Sequence, residues 1–273
     1  MKNILLLISL VAFSAFILND EPGFDMGHIK KNFVKVKKNF YVSRYEVTNQ
    51  DYRSFLYDVQ VTVKGNLYQE FLPDTTCWLN KVGYNEPYLT YYFRYPSYNE
   101  YPVVGISYNQ AKAYCGWLTN KYNADPKRKF KQVNFRLLYR AEWIAAAQGG
   151  DSTKVYTWGS GFIKNNRNQY LCNFKKNDFK YDSVTKKYKE IADSTMALNN
   201  RNSIAGKVNS FYPNSFGLYN FCGNVAEMIQ EKGIAKGGSY NDPSYEVRIA
   251  SEKVYTKPQA DIGFRVAMLV VEE

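Results

Sequence analysis

A chain of 273 residues with 45% apolar and 17% aromatic residues can bury a full core as one large domain or two small ones, which excludes a disordered polymer. Its 36 Lys and Arg against 25 Asp and Glu give a formal charge of +11, which attracts anionic polymers, membrane surfaces or acidic proteins, while no nucleic-acid motif accompanies the basic residues. With His28 as its single histidine, the chain cannot build a His triad, a two-His zinc site or a Ser-His-Asp relay within one subunit.

Residues 1–20 read as an export signal, with Lys2 as the positive start and an apolar run from Ile4 to Leu18 too short for a comfortable membrane span. An uncleaved anchor is the alternative. No Cys lies in this segment, so lipid attachment is not expected, and residues 21–273 are expected to form one exported domain.

Residues 33–43 (FVKVKKNFYVS) partly alternate apolar and basic residues and predict a half-exposed strand. Thr48 can cap a helix that places Tyr52, Phe55 and Leu56 on one face. Residues 60–100 are rich in Tyr and Pro with little periodicity, and predict a long irregular segment. YPVVGI at 101–106 predicts a short buried strand. Ser107 and Gln110 then form a capping-box pattern ahead of an apolar stripe of Ala111, Tyr114, Cys115 and Leu118, predicting a helix to about Asn120. A third helix begins near Tyr139, carries Trp143 and stops at Gly149 and Gly150. Residues 151–210 read mainly as loop, and turns with short strands follow from Ser210 onward.

Basic residues fall in short clusters, such as Lys35, Lys37 and Lys38, or Lys127, Arg128, Lys129 and Lys131, and read as solvated faces or as a functional basic patch. The four cysteines, Cys77, Cys115, Cys172 and Cys222, fit no disulfide framework or zinc spacing, which leaves bridged pairs and free buried thiols both open.

The ordered series PVVGISYNQAKAYCGWL (102–118), RLLYRAEWIAAA (136–147), YTWG (156–159), PNSFGLYNFCGNVAEM (213–228), KGGSY (236–240) and GFRVAM (263–268) resembles the formylglycine-generating-enzyme domain over most of the chain. The resemblance implies an α+β, C-type-lectin-like fold, with two helices packed on small twisted sheets and much loop. Residues 73–107 are most similar to members from gliding bacteria, the envelope components of gliding motility and type IX secretion.

Enzymes of this family oxidise a substrate cysteine with two copper-binding cysteines placed shortly after GGS. Here those places hold Asp242 and Val247, which cannot act as soft thiolate ligands, so no copper and no oxidase activity are expected. The resemblance also implies a calcium site at Asn220, Gly223, Val225 and Glu227, whose oxygens suit that ion; the alternative is that Asn220 and Glu227 satisfy groups of the turn. A second calcium site would fall at Asn173, Phe174, Asn200 and Asn202, with Asn in place of the usual Asp. Cys115 matches a family cysteine whose partner position is Val266 here, which implies an unpaired thiol. Arg265 is expected to pair with a carboxylate or loop carbonyls.

Two functions remain open at this point. One is a non-catalytic binding or scaffold protein of the cell envelope with protein partners, whose ligand cleft is formed by Ser239, Tyr240, Asn241, Asp242, Tyr245 and Glu246. The other is an enzyme that uses the same cleft for different chemistry.

Overall fold

The computed structural model describes residues 26–62, 67–79, 85–176, 179–190 and 204–273. The expected export signal lies outside the described residues, as do Asn200 and Asn202. Helix α1 (Met26–Asn32) leads into residues 33–43, which form a hairpin in place of the single strand expected. Strands β1 (Phe33–Lys37) and β2 (Phe40–Ser43) pair antiparallel, because Asn39 takes a left-handed φ of 57° and turns the chain between them.

Helix α2 (Asn49–Thr62) starts as the sequence predicts. The Thr48 hydroxyl accepts from the Asp51 N–H at 3.0 Å, and the Asp51 carboxylate accepts from the Thr48 N–H at 3.1 Å. Tyr52, Phe55, Leu56 and Val59 form its buried face. The region expected to be irregular contains two short helices, α3 (Leu67–Phe71) and α4 (Glu86–Tyr91), and two 3-10 turns. Helices of five or six residues are too short to show an apolar period. Ring contacts hold them instead: Trp78 lies 4.7 Å from Tyr92, which lies 5.3 Å from Tyr98.

Residues 101–106 are not a strand. They make one isolated antiparallel bridge, Pro102 to Thr48, with Val103 N–H on Val47 and the Tyr101 carbonyl on Asn49 N–H, and then turn to other loops: Gly105 N–H to Gln259 and the Gly105 carbonyl to the Asp74 N–H. The next helix, α5 (Tyr108–Ala124), has the predicted reciprocal Ser107–Gln110 cap and continues past Asn120, burying Tyr122. Strand β3 (Gln132–Arg136) precedes α6 (Arg140–Gln148), which ends at Gly149 with φ of 61°. The segment expected as loop adds a hairpin of β4 (Phe179–Asp182) and β5 (Lys187–Glu190).

Five short strands follow: β6 (Ala226–Met228), β7 (Ile234–Lys236), β8 (Glu252–Val254), β9 (Ile262–Phe264) and β10 (Ala267–Glu272). One sheet runs β1-β2-β10-β3 and is antiparallel throughout. The other runs β8-β7-β6-β9, with β6 and β9 parallel. The α+β class expected from sequence holds. Three apolar clusters fill the interior: α2 and α5 against β3 and Phe264; Trp143 of α6 against Phe40, Phe221 and Val247; and Trp78 with Tyr92, Val225 and Tyr240.

Arg265 joins these layers. Its guanidinium is fully buried and each of its N–H groups finds an acceptor. The Nη1 group donates to the carbonyls of Ser43 (3.0 Å) and Arg44 (3.1 Å), and Nη2 donates to the Tyr219 carbonyl (2.6 Å) and to Glu227 (2.6 Å). The Nε group donates to Glu227 at 2.9 and 3.0 Å, and the guanidinium lies 4.0 Å from the centre of the Phe221 ring. Trp143 Nε1 donates to the same Glu227 carboxylate at 2.7 Å. Removing one member leaves a buried charge without a partner, so Arg265→Met or Glu227→Gln is expected to cost about 3–5 kcal/mol. Urea denaturation measures this, and a midpoint equal to that of the parent would show that the pair is not structural.

Candidate functional site

The turn after β7 positions the site. Gly237 and Gly238 have φ of 85° and 62°, and a Cβ on them would lie 2.6 Å from the Phe221 carbonyl oxygen and 2.5 Å from that of Glu246. Only glycine fits, and the tight turn drives Ser239 inward until it is fully buried. The Ser239 hydroxyl lies 2.6 Å from Asp242 Oδ2 and 3.0 Å from Asp261 Oδ2, either of which can accept its proton, and it accepts from the Asn241 N–H at 3.1 Å.

Lys253 of β8 completes the cluster. Its ammonium donates to both Asp242 oxygens at 2.9 and 3.0 Å and to Asp261 Oδ2 at 2.6 Å. Burial pulls the Lys253 pKa down, but the charges of Asp261 and Asp242 outweigh it and hold the ammonium above the ordinary lysine value. Lys253 is therefore a fixed cation near neutral pH and cannot act as a base. Cys77, half-buried, feels one of these carboxylates: burial first, then the charges of Asp74 and Asp261, push its thiol up to about 12. The cluster holds no activated nucleophile.

The structure divides the cleft expected from sequence. Ser239 is closed off, and Tyr240 is buried against Trp78 and Tyr92, with its hydroxyl on the Ala260 carbonyl at 3.3 Å, so it offers no ring to a partner. Asp242 is tied to Lys253, and its carbonyl accepts from the Lys175 N–H at 2.8 Å. Glu246 is partly buried, with its N–H on the Pro243 carbonyl at 2.9 Å. Asn241 is exposed, and Tyr245 is 53% exposed. Val247 is fully buried in the second apolar cluster. Sequence reasoning missed Lys253, Asp261 and Cys77. Only the charged residue just before GFR and the lone Lys in EKV signalled two of them, and neither shows its partner in sequence.

The residues expected to hold calcium are arranged differently. Both Glu227 oxygens are taken up by Arg265 and Trp143. The Asn220 carboxamide, at a residue with φ of 56°, donates to Glu46 Oε2 at 3.2 Å and to the Val208 carbonyl at 2.9 Å. Gly223 and Val225 are buried in the same turn. Asn224 donates to Glu46 Oε1 at 2.8 Å and accepts from the Gly206 N–H at 2.7 Å. No buried side-chain polar atom of the turn is left without a partner among the described residues. Glu227 thus faces a guanidinium where an ion was expected, and this set does not fit calcium on Glu227. At the second set, the Asn173 carboxamide donates to the Ile204 carbonyl at 3.0 Å, and Phe174 is buried in the core.

Two buried carboxylates, Glu46 and Glu227, share the single charge of Arg265. Burial pushes Glu46 up to about 7; Arg265 pulls it down, and Glu227 pushes it up. A carboxyl whose folded pKa lies above the ordinary 4.5 binds its proton more tightly when folded. Its stabilising contribution is complete below pH 4.5 and is lost as pH rises through about 7. Glu46→Gln is expected to flatten that decline, which has a limiting slope of about 1.4 kcal/mol per pH unit. Urea midpoints of parent and variant across this range check it, and parallel curves would remove Glu46 from the account.

Residues 20–270 match the sulfatase-modifying factor enzyme 1-like domain. The chain is 26% identical over 265 residues to the inactive C-alpha-formylglycine-generating enzyme 2 of Bos taurus, covering 84% of this chain and 77% of that one. It is 31% identical over 132 residues to the formylglycine-generating enzyme of Thermomonospora curvata, covering 48% and 33%. Among solved structures it is similar to PvdO from Pseudomonas aeruginosa, with a TM-score of 0.51, 20% identity, and 84% and 80% of the two chains covered. The structure of CarF gives a TM-score of 0.51 at 20% identity, with 85% and 86% covered. These two likenesses concern the fold alone.

Proposed function

From the premise that this chain belongs to the sulfatase-modifying factor enzyme 1-like domain family, we propose that it is a non-catalytic binding or scaffold protein of the bacterial cell envelope. One observation carries the reading. The two places that hold copper-binding cysteines in the enzymes are filled by Asp242, locked to Lys253, and by Val247, sealed in the core. A protonated lysine between two aspartates repels a metal cation and supplies no thiolate. The relative named inactive supports the same reading. Export rests on Lys2 and the apolar run from Ile4 to Leu18, and a part in gliding motility or type IX secretion rests on the similarity of residues 73–107.

The purified protein is expected to take up no stoichiometric copper(I) and to convert no cysteine-containing sulfatase peptide to formylglycine. Copper titration with mass spectrometry of the peptide tests this, and product formed with bound copper would overturn the non-catalytic reading.

With Tyr240 buried, Tyr245 and Asn241 are the exposed part of the cleft, and Tyr245 is the ring available to an envelope partner. Tyr245→Ala is expected to weaken capture of such a partner by about 1–3 kcal/mol with little loss of fold stability. Charge reversal at Lys127, Lys129 and Lys131 is expected to slow association and reduce its salt dependence. Binding assays on pull-down partners from the native envelope separate the two. Normal binding by Tyr245→Ala together with loss of all binding in the charge-reversed variant would mean that the protein works through its basic surface.

A further inference from the structure

All four cysteines are free thiols in the structure. Two of them, Cys172 and Cys222, lie in the same apolar cluster, 3% and 2% exposed, although 49 positions separate them in the chain. The segments that carry them run side by side. The Asn224 N–H donates to the Asn173 carbonyl at 2.8 Å. Gly223, with φ of 78°, allows the approach, since a Cβ there would lie 2.2 Å from the Asn173 oxygen and 3.4 Å from Cys172 Cβ. The Gly223 backbone thus runs close against the Cys172 side chain, and the neighbouring Cys222 is buried in the same cluster, near enough to act on the Cys172 thiol. The other two cysteines sit elsewhere: Cys115 in the α2–α5 core and Cys77 at the edge of the Trp78 cluster.

We propose that Cys172 and Cys222 form a disulfide when the chain folds in an oxidising compartment. Both S–H bonds break and one S–S bond forms. The two electrons and two protons pass to the disulfide of an exported dithiol oxidoreductase, or of oxidised glutathione in vitro, which leaves as two thiols. The timing follows from burial, which raises Cys172 well above the ordinary thiol value, with the charge of Cys222 adding to it, and pushes Cys222 up to about 12. Thiolate is scarce once the core has closed, so the bond forms during folding. Its consequence reaches the candidate site. Lys175, three residues beyond Cys172, donates its N–H to the Asp242 carbonyl, and the Asn224 carbonyl, two residues beyond Cys222, accepts from the Tyr240 N–H at 2.9 Å. The bridge fastens together the two backbone segments that hold the cleft loop, and it closes a loop over the 49 residues between them.

The full chain, isolated from its native envelope under an alkylating agent and then unfolded without reductant, is expected to show two alkylated thiols, Cys77 and Cys115. Digestion is expected to give a reducible peptide pair containing Cys172 and Cys222. In a second arm the reduced full chain is refolded in a glutathione redox buffer, which makes the result independent of export. A bridge in this arm with four thiols in the native isolate keeps the pair and overturns the export reading. Four thiols in both arms, or a bridge to Cys77 or Cys115, overturns the proposal. Cys222→Ser is expected to leave Cys172 alkylated, and if that variant does not fold, the parent thiol count still decides.

Discussion

A buried guanidinium organises this protein. Arg265 lies between the two sheets and draws to itself the end of β2, the turn at Tyr219, and Glu227 of β6. The elements it joins are short, with three residues each in β6 and β9, and the carbonyls of Ser43, Arg44 and Tyr219 all receive its N–H groups. An arginine can serve such a set because its donors are rigidly forked and it stays charged. The single positive charge is shared by two acids, and Glu46, through its burial first and the charge of Glu227 after it, takes up a proton more readily.

The same principle of local charge closure governs the candidate site. Asp242 and Asp261 converge on Lys253, whose ammonium satisfies them from within the chain, and the Ser239 hydroxyl lies against both carboxylates. The cleft loop carries a closed ionic cluster at Asp242 on one side and an aliphatic side chain, Val247, on the other. What faces solvent is the loop beyond it, carrying Asn241 and Tyr245.

Much of this was legible in the sequence wherever the physics is local. The Ser107–Gln110 box, the left-handed stop at Gly149 and the apolar stripe of α2 each depend on residues within a few positions of one another, and each appears as read. The role of Arg265 was legible from its family motif. The split of residues 33–43 was hidden because Asn39 can take either hand and nothing in the alternation marks the choice. YPVVGI reads as a strand by composition, but its partners are loops far along the chain. Lys253 and Asp261 could not be joined to Asp242 by inspection, since their meeting depends on how β8 and β9 flank β7 and β6. Tyr240 appeared as a surface ring for the same reason: the aromatic cluster that covers it comes from residues 78–101.

The place of β10 sets an order on assembly. It is the last strand, yet it lies in the interior of its sheet, between β2 and β3. Until residues 267–272 are present, β2 and β3 have no common neighbour, and Arg265, two positions before that strand, has not arrived either. A chain that emerges N-terminus first therefore cannot complete this half of the molecule until residues 267–272 are free. Contacts of such long sequence separation make folding slow compared with helix formation. Until β10 docks, this half of the molecule stays loose.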